Sequence, residues 1–554
     1  MYSGTYEAAW EREMEDYSEK RDYILPERVL AAAGTEGADN LLRFRSDIAS
    51  FVCGDPCRIA PGGYVLLDFG REYQGGVKLV AQDMMGKKNA RVRIRFGESA
   101  MECCSEPGHK GSTNDHSVRD ESLLLPWAGC LEYGMTGYRF IRIDNLDEVV
   151  ISLIQVLGVY VHSGKKMRGE FRCSDARIND VWKASARTLY LNNNRYITDG
   201  IKRDRLVWIG DMHPETIAVL RLFGDDPSIR RSLDFIRDLT DFPGWMNDIP
   251  AYSMWWLKIQ LDLYRYTGDL GYLRRQREYV RGLCAQLLGC VNEDGSDNIG
   301  YKFIDWPSSE DAEAQEYGIR ALLKVAFESC REILDLCGDS EYASATEEAL
   351  ARLALRSLPP PRNKQAAALG VFAGVLDPVR AEREIFSRNE LEGLSTFLCY
   401  YILRARARAG NMRGALGIVR NYYGGMLDLG ATTMWEDFDL SWKKGAKPID
   451  SLLREGEYDV HGDNGGYCYK GYRHSLCHGW AAGTVPFTSE FILGVRPEEG
   501  GKKLVISPDL GDLEWAEGKF PAQSGDLELS CRKKYGKIEI EYQAPAGVEV
   551  VVRP

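Results

Sequence analysis

Long apolar runs are missing from this sequence. The longest, Val149 to Val161, is interrupted by Ser152 and Gln155, and it falls short of the roughly 20 residues that a bilayer crossing takes. No membrane partner is expected. A basic excess is missing too: 70 Lys and Arg stand against 82 Asp and Glu, for a net charge of -12. Nucleic-acid binding depends largely on Lys and Arg replacing counterions, so no nucleic-acid partner is expected either. The start, MYSGTYEAAWEREMEDYSEK, is acidic and has no apolar segment of the secretory kind, which predicts a cytoplasmic protein. Fourteen cysteines are scattered without a CxxC pair, which points to reduced, mostly buried thiols. Neither Cys103-Cys104 nor Cys477-His478 has a second pair at ligand spacing, so neither a metal nor another cofactor is expected.

What is present is an ordinary globular composition, 44% apolar and 27% charged, somewhat rich in aromatics at 11%. A chain of 554 residues implies about two to four domains. From Gly62 to about Val161, stretches such as "ARVRIRFGES" and "TGYRFIRI" alternate apolar and polar residues between glycine turns. That pattern predicts a β-sandwich over 61–168, with residues 1–60 as an extension packing on it or on the helical domain. From about Ser174 the period becomes helical, as in "GIRALLKVAFESCREILDLCG". After Gly494 short strands return, predicting a second β-sandwich over 495–554.

One junction recurs in the helical stretch. "LRLFGDD", "YRYTGDL", "LDLCGDS" and "RARAGNM" end apolar-periodic segments with Gly224, Gly268, Gly338 and Gly410, each followed by Asp or Asn. Glycine suits the left-handed position after a helix, and the acidic or amide residue caps the next one, so each junction predicts a helical hairpin. A ring of such hairpins over 169–494, an (α/α)6 toroid, buries them all; an open solenoid is the alternative.

Several loops between the predicted helices mix acids with tryptophan. "TDGIKRDRLVWIGDMHPE" holds Asp199, Arg203, Asp204, Trp208 and Asp211. "PGWMNDIPAYSMWW" holds Trp255 and Trp256, "FIDWPSSED" holds Asp305 and Trp306, and "GATTMWEDFDLSW" holds Trp435 and Glu436. Breaking a glycosidic bond takes one carboxylic acid to protonate the leaving oxygen and a second carboxylate to activate water, with rings gripping the sugar. The loops supply those residue types, and a carbohydrate is the expected partner. The sequence is compatible with a homodimer.

Taken in order, "LLDFGREYQGGVKL", "RIRFGE", "TGYRFIRI", "GEFRCSDARINDVWKAS", "DGIKRDRLVWIGD", "DWP", "TTMWEDFD", "HSLCHGWAAGTVPF" and "GVRPEEGGKKLVISPDL" resemble the bacterial α-L-rhamnosidases of glycoside hydrolase family 78, over roughly residues 60 to 545. The resemblance implies an (α/α)6 catalytic barrel between two β-sandwiches and cofactor-free, inverting removal of terminal α-L-rhamnose. It implies that Glu436 is the general base, that His478 lines the sugar subsite, and that Trp208, Trp255 or Trp256, and Trp306 wall it. The family pattern D-x-x-x-R-D-E-R-x-x-W-x-G-D is one residue longer than the segment here. Asp199, Arg203, Asp204, Arg205, Trp208 and Asp211 match it, and the Glu that serves there as acid has no separate counterpart. Asp204 is the nearest carboxylate. An acid must keep its proton, and direct pairing with an arginine works against that, in which case Asp199 or Asp211 takes the role. Arg203 and Arg205 are expected to hold carboxylates or hydroxyls in register, and Gly200 and Gly210 to allow tight turns. Another terminal sugar, or a homologue that binds sugar without turnover, remains an alternative.

Overall fold

The computed structural model describes residues 19–44 and 54–553. Residues 1–18 and 45–53 of the expected extension, including most of the acidic start, lie outside the described residues. Among the described residues no helix is long and apolar enough to cross a membrane.

Seven strands form the first sheet: β1 (Lys20–Ile24), β2 (Arg28–Glu36), β3 (Cys57–Ala81), β4 (Asn89–Gly97), β5 (Asp120–Pro126), β6 (Cys130–Asn145) and β7 (Ile151–His162). Their order is β1-β7-β3-β6-β4-β5, with β2 added along β3. The apolar run Val149 to Val161 finds its use here, because β7 is buried along almost its whole length on both faces. The 25-residue β3 runs through the middle with register shifts between Asp68 and Tyr73 and between Gly75 and Val77, which let it bend and serve both layers of a sandwich-like unit. The described part of the extension contributes β1, paired with β7, and β2, paired with β3, followed by a short helical turn at Ala38–Leu42.

The helical region closes on itself. Its inner helices are Met212–Leu222, Pro250–Thr267, Ala312–Leu336, Lys364–Phe372, Cys399–Arg408 and the short Thr484–Phe487. Each touches the next, and the last also touches the first, so the arrangement is a toroid and the open solenoid is excluded. All eleven residues of Met212–Leu222 are buried, whereas an outer helix such as Pro227–Asp238 buries one face only, as an amphipathic surface helix should. Gly224, Gly268, Gly338 and Gly410 all take the left-handed conformation. Asp269, Asp339 and Asn411 cap the helices that follow; after Gly224 the cap is Asp226, one residue beyond the adjacent aspartate.

Two small sheets complete the chain. One contains β9 (Val495–Glu498), β10 (Lys503–Ile506) and β14 (Glu549–Val552); the other contains β11 (Trp515–Ala522), β12 (Gly525–Lys534) and β13 (Lys537–Gln543). The fourth strand of the latter, β8 (Glu170–Cys173), comes from the opposite side of the helical region in sequence and pairs with β11. These sheets share one apolar core with the helices. The N-terminal sheet has its own core, into which Leu191, Ile201 and Cys477 reach from the helical side.

Candidate active site

Alternation of inner and outer helices leaves the N-terminal ends of the inner ring at one mouth. The loop from Thr198 to Asp211 enters this mouth and is tied down at both ends. Leu206 N–H donates to the Asp199 carboxylate at 2.8 Å, Gly479 N–H donates to the Asp199 carbonyl at 2.7 Å, and Gly200 bridges His478. Between these ties, Asp204 and Arg205 adopt left-handed backbone, with φ of 53° and 55°. Non-glycine residues hold such conformations at a cost on the order of 1–3 kcal/mol, which the surroundings must offset. The N-terminal sheet does so: Ser117 Oγ donates to the Lys202 carbonyl at 2.7 Å, and Arg205 donates to the carbonyls of Met135 and His116. Arg205 therefore anchors the loop and does not hold carboxylates or hydroxyls as the sequence suggested. Gly210 sits in the expected tight turn, closed by Asp211 N–H on the Trp208 carbonyl at 3.1 Å, although neither Gly200 nor Gly210 is left-handed. Gly210 is required because a Cβ there would lie 2.1 Å from the Tyr252 ring.

Arg203 organises the charges. Its Nη1 donates to Asp204 at 3.1 Å, its Nη2 to Glu436, and its Nε to the Arg473 carbonyl at 2.8 Å. Burial opposes the arginine's charge, but Glu436 and Asp204 more than compensate and raise its pKa. Glu436 also accepts from Ser475 N–H at 2.9 Å, and its backbone carbonyl is fixed by Trp480 Nε1 and Thr396 Oγ1. Burial raises the Glu436 pKa, with Arg203 and the Ser475 amide pulling the other way. His478 stands between two acids, 3.7 Å from Glu436 and 3.9 Å from Asp199, packed on Trp480. Burial, with Arg203 close by, holds its pKa well below the usual range, so the ring is neutral.

Asp199 and Asp211 lie deeper. Burial, with Asp204 and Asp211 as further contributors, raises Asp199 well above the carboxylate range. Burial does the same for Asp211, which accepts from Tyr252 OH at 3.0 Å and feels the charge of Glu436. Asp204 is more open, its side chain 17% exposed, and its other oxygen lies 3.3 Å from His116 Nε2. Trp208 meets Tyr252 edge to face. Across the mouth, Trp306 stacks on the half-exposed Tyr467, and Asp305 is buried behind them with one oxygen unpartnered.

The remaining tryptophans are placed differently from expectation. Trp255 is sealed in the helical core against His213, Phe372 and Tyr401, and Trp256 packs on Tyr279 while donating to the Leu233 carbonyl. Neither walls a subsite: at the N-terminal end of the same helix it is Tyr252 that meets Trp208 and Asp211. Trp435 is also fully buried, edge-on to His474 and Phe438 behind Glu436, with its Nε1 unpartnered. Sequence reading gave no role to Glu215, His116, Tyr252 or Tyr467. Glu215 lies one turn into Met212–Leu222, fully buried, with both oxygens unpartnered; burial, then Asp211 and Asp199, raise its pKa well above the usual range. Its spacing of four from Asp211, on one helix face, is the signal that could have found it.

Among the described residues one group has metal-ligand proximity: Glu98, Glu102 and His461. Lys202 lies 2.9 Å from Glu98 and 3.3 Å from Glu102, and Arg119 also pairs with Glu102. Two fixed cations already neutralise these acids, so the cluster is an ion network and does not fit a metal.

Residues 166–344 match the family model described as the bacterial alpha-L-rhamnosidase six-hairpin glycosidase domain. Over the whole chain the fold is similar to a family 78 rhamnosidase of Bacillus sp. GL1, at TM-score 0.72 and 21% identity over 93% of this chain and 55% of that one. The α-L-rhamnosidase of Dictyoglumus thermophilum is similar at TM-score 0.72 and 20% identity over 96% and 58%. A Klebsiella oxytoca rhamnosidase with rhamnose bound is similar at TM-score 0.67 and 16% identity over 87% and 98%. The chain thus spans a little over half the length of the first two. None of the curated proteins matches it in sequence.

Proposed function

We propose that this chain is an inverting glycoside hydrolase that removes terminal α-L-rhamnose from small glycosides or oligosaccharides. One observation carries the reading: a single buried guanidinium, Arg203, lies between two carboxylates from distant parts of the chain, Asp204 and Glu436, at the mouth of a glycosidase-type toroid. One guanidinium and two hydrogen bonds across is on the scale of the roughly 6.5–9.5 Å that leaves room for a water in an inverting pair.

In this reading Glu436, its second oxygen oriented by Ser475 N–H, takes a proton from water as that water attacks the anomeric carbon. Asp204 gives its proton to the departing oxygen as the C–O bond breaks. Asp204 is given this role despite its contact with Arg203, because that guanidinium is shared with Glu436, Asp204 is more open than Asp199, Asp211 or Glu436, and the leaving group departs outward. Asp199, Asp211 and Glu215 bind ring hydroxyls, His478 packs beside them as a neutral donor or acceptor, and Trp208 and Trp306 cover apolar sugar faces. Trp435 backs Glu436 from the core and does not touch sugar. A second reading puts the acid at Asp211, favoured by its raised pKa, by its proximity to Glu436, and by the contact of Asp204 with Arg203.

Aryl α-L-rhamnosides with good and poor leaving groups, with the anomer released followed by NMR, test this. Glu436→Gln should lower kcat on both by about 10²–10⁴-fold. Asp204→Asn should lower turnover of the poor leaving group far more than that of the good one. The same selectivity in Asp211→Asn and not in Asp204→Asn transfers the acid role. Retained anomeric configuration, or binding of rhamnose without any turnover, overturns the reading.

A further inference from the structure

At the opposite end of the toroid, where the inner helices finish, lies a cavity of about 430 Å³. Seven cationic and four anionic side chains line it, a strong bias in a protein whose net charge is -12. Three pairs cancel: Lys258 with Asp262, Arg265 with Glu332, and Arg404 with Glu490. Glu328 pairs with Lys324 at its edge. Arg221, Arg408 and Arg496 form no salt bridge among the described residues.

Arg221 is the telling one. It is 8% exposed, lies over Phe520 and beside Tyr266, and has Nε and Nη1 without any hydrogen-bond acceptor. A buried guanidinium with unmet donors costs free energy, and a native chain normally meets such donors with an acceptor. Arg408 is exposed at the edge of the cavity, in the field of Arg404 and Arg496 and of Glu490, which is already paired with Arg404. Arg496 arrives from β9, so the C-terminal sheets close this cavity. The ends of the inner helices contribute about half a negative charge each, which offsets part of the excess. Their carbonyls nevertheless leave the Arg221 donors unmet.

We propose that this cavity is a binding site for a small phosphate-type dianion, held by Arg221, Arg408 and Arg496. Met212–Leu222 carries Arg221 near one end and follows Asp211 at the other, about 15 Å apart at 1.5 Å per residue. The dianion site is therefore separate from the sugar site and stands or falls independently of the hydrolase reading.

Thermal unfolding in inorganic phosphate, against chloride at equal ionic strength, tests it. The wild type should show a saturable rise in Tm, half-complete at millimolar phosphate or below. Arg221→Gln with Arg408→Gln should abolish the rise. Because Arg221 is buried and its loss can impair folding, the exposed Arg496→Gln provides a second variant, expected to move the half-point at least several-fold upward. A phosphate effect no larger than that of chloride, or one equal in wild type and Arg496→Gln, overturns the proposal. The same titration with a sugar phosphate separates an inorganic ligand from an ester, the tighter of the two identifying the class.

Discussion

The loop from Thr198 to Asp211 takes part in two buried charge clusters that differ in one respect. Lys202 points toward the N-terminal sheet, where it pairs with Glu98 and Glu102 and donates to the carbonyls of Tyr472 and His474. Both oxygens of Glu98 and of Glu102 have partners, Leu476 N–H and Ser475 Oγ for Glu98, Arg119 and Glu98 N–H for Glu102, and one oxygen of the neighbouring Glu72 is the exception. Arg203, the next residue, points the other way and faces a surplus of acid. In that second cluster the oxygens of Glu215, one oxygen of Asp305, Trp435 Nε1 and His478 Nδ1 have no partner. A buried network that satisfies every member holds a fold together, and one that leaves donors and acceptors open is arranged around something it has yet to bind.

The comparison predicts opposite outcomes for the two sides, and these are the largest effects expected. Lys202→Met removes the charge that compensates two buried glutamates and should destabilise folding by about 3–5 kcal/mol. Its turnover per folded molecule should stay within a few-fold of wild type. Glu436→Gln keeps the side-chain volume and the acceptor for Ser475 N–H but gives up the ion pair to Arg203, which Asp204 still partners, so its stability should fall by less than that of Lys202→Met, while turnover falls by the factor given above. Denaturant unfolding paired with active-site-normalised kinetics reads both. A stable Lys202→Met, or a Glu436→Gln that fails to fold, breaks the distinction between structural and functional charge.

How much of this was legible before the fold was known depends on the type of signal. Gly224, Gly268, Gly338 and Gly410 announced helical hairpins because a left-handed turn followed by a cap is a local requirement that no tertiary contact needs to supply. Asp199, Arg203, Asp204, Asp211, Glu436 and His478 were named from short segments, and the fold brings those segments to one mouth. Trp255 and Trp256 were misplaced because loop membership was inferred from composition. The helix begins at Pro250, and from there 3.6-residue periodicity turns both indoles into the core. His116 was invisible for a different reason. It reaches Asp204 from the loop before β5, 88 positions away in sequence, and no local pattern encodes such a contact. The role of Arg205 was misjudged for the same reason, since its partners are Met135 and His116; Gly210 does sit in a tight turn, closed by Asp211 N–H on the Trp208 carbonyl, but the Tyr252 ring beside it was equally out of reach.

A pH experiment sharpens the contrast at smaller amplitude. Burial, and then Glu436, push Asp437 from the model-peptide value of 3.8 up to about 7. The folded protein thus holds this proton more tightly than the unfolded chain does. The resulting stabilisation is fully present below about pH 4 and is lost as pH rises through 7. Asp437→Asn cannot lose it. The variant should match wild type at low pH and exceed it at pH 8 by on the order of a few degrees in Tm. Parallel curves for the two proteins between pH 4 and 8 would show that Asp437 does not hold its proton more tightly in the folded state.

The smallest effect concerns the rim. Trp306 is only partly buried, stacked on Tyr467 and edge-on to Phe303, so its indole contributes little to the core and has a face available at the mouth. Trp306→Ala should leave Tm within about 2 °C and raise KM for a terminal rhamnoside by roughly tenfold, the loss of about 1.4 kcal/mol of ring contact, with kcat nearly unchanged. That split is what distinguishes a wall from a catalytic group, because a contact equally strong in ground and transition states alters KM alone. Trp255→Ala supplies the contrast: with the indole sealed among His213, Phe372 and Tyr401, its cost should fall on folding, by about 3–5 kcal/mol, and not on KM. If instead Trp306→Ala unfolds the protein, or leaves KM untouched, the mouth between Trp208 and Tyr467 is not where the sugar binds, and the open acceptors behind it need another occupant.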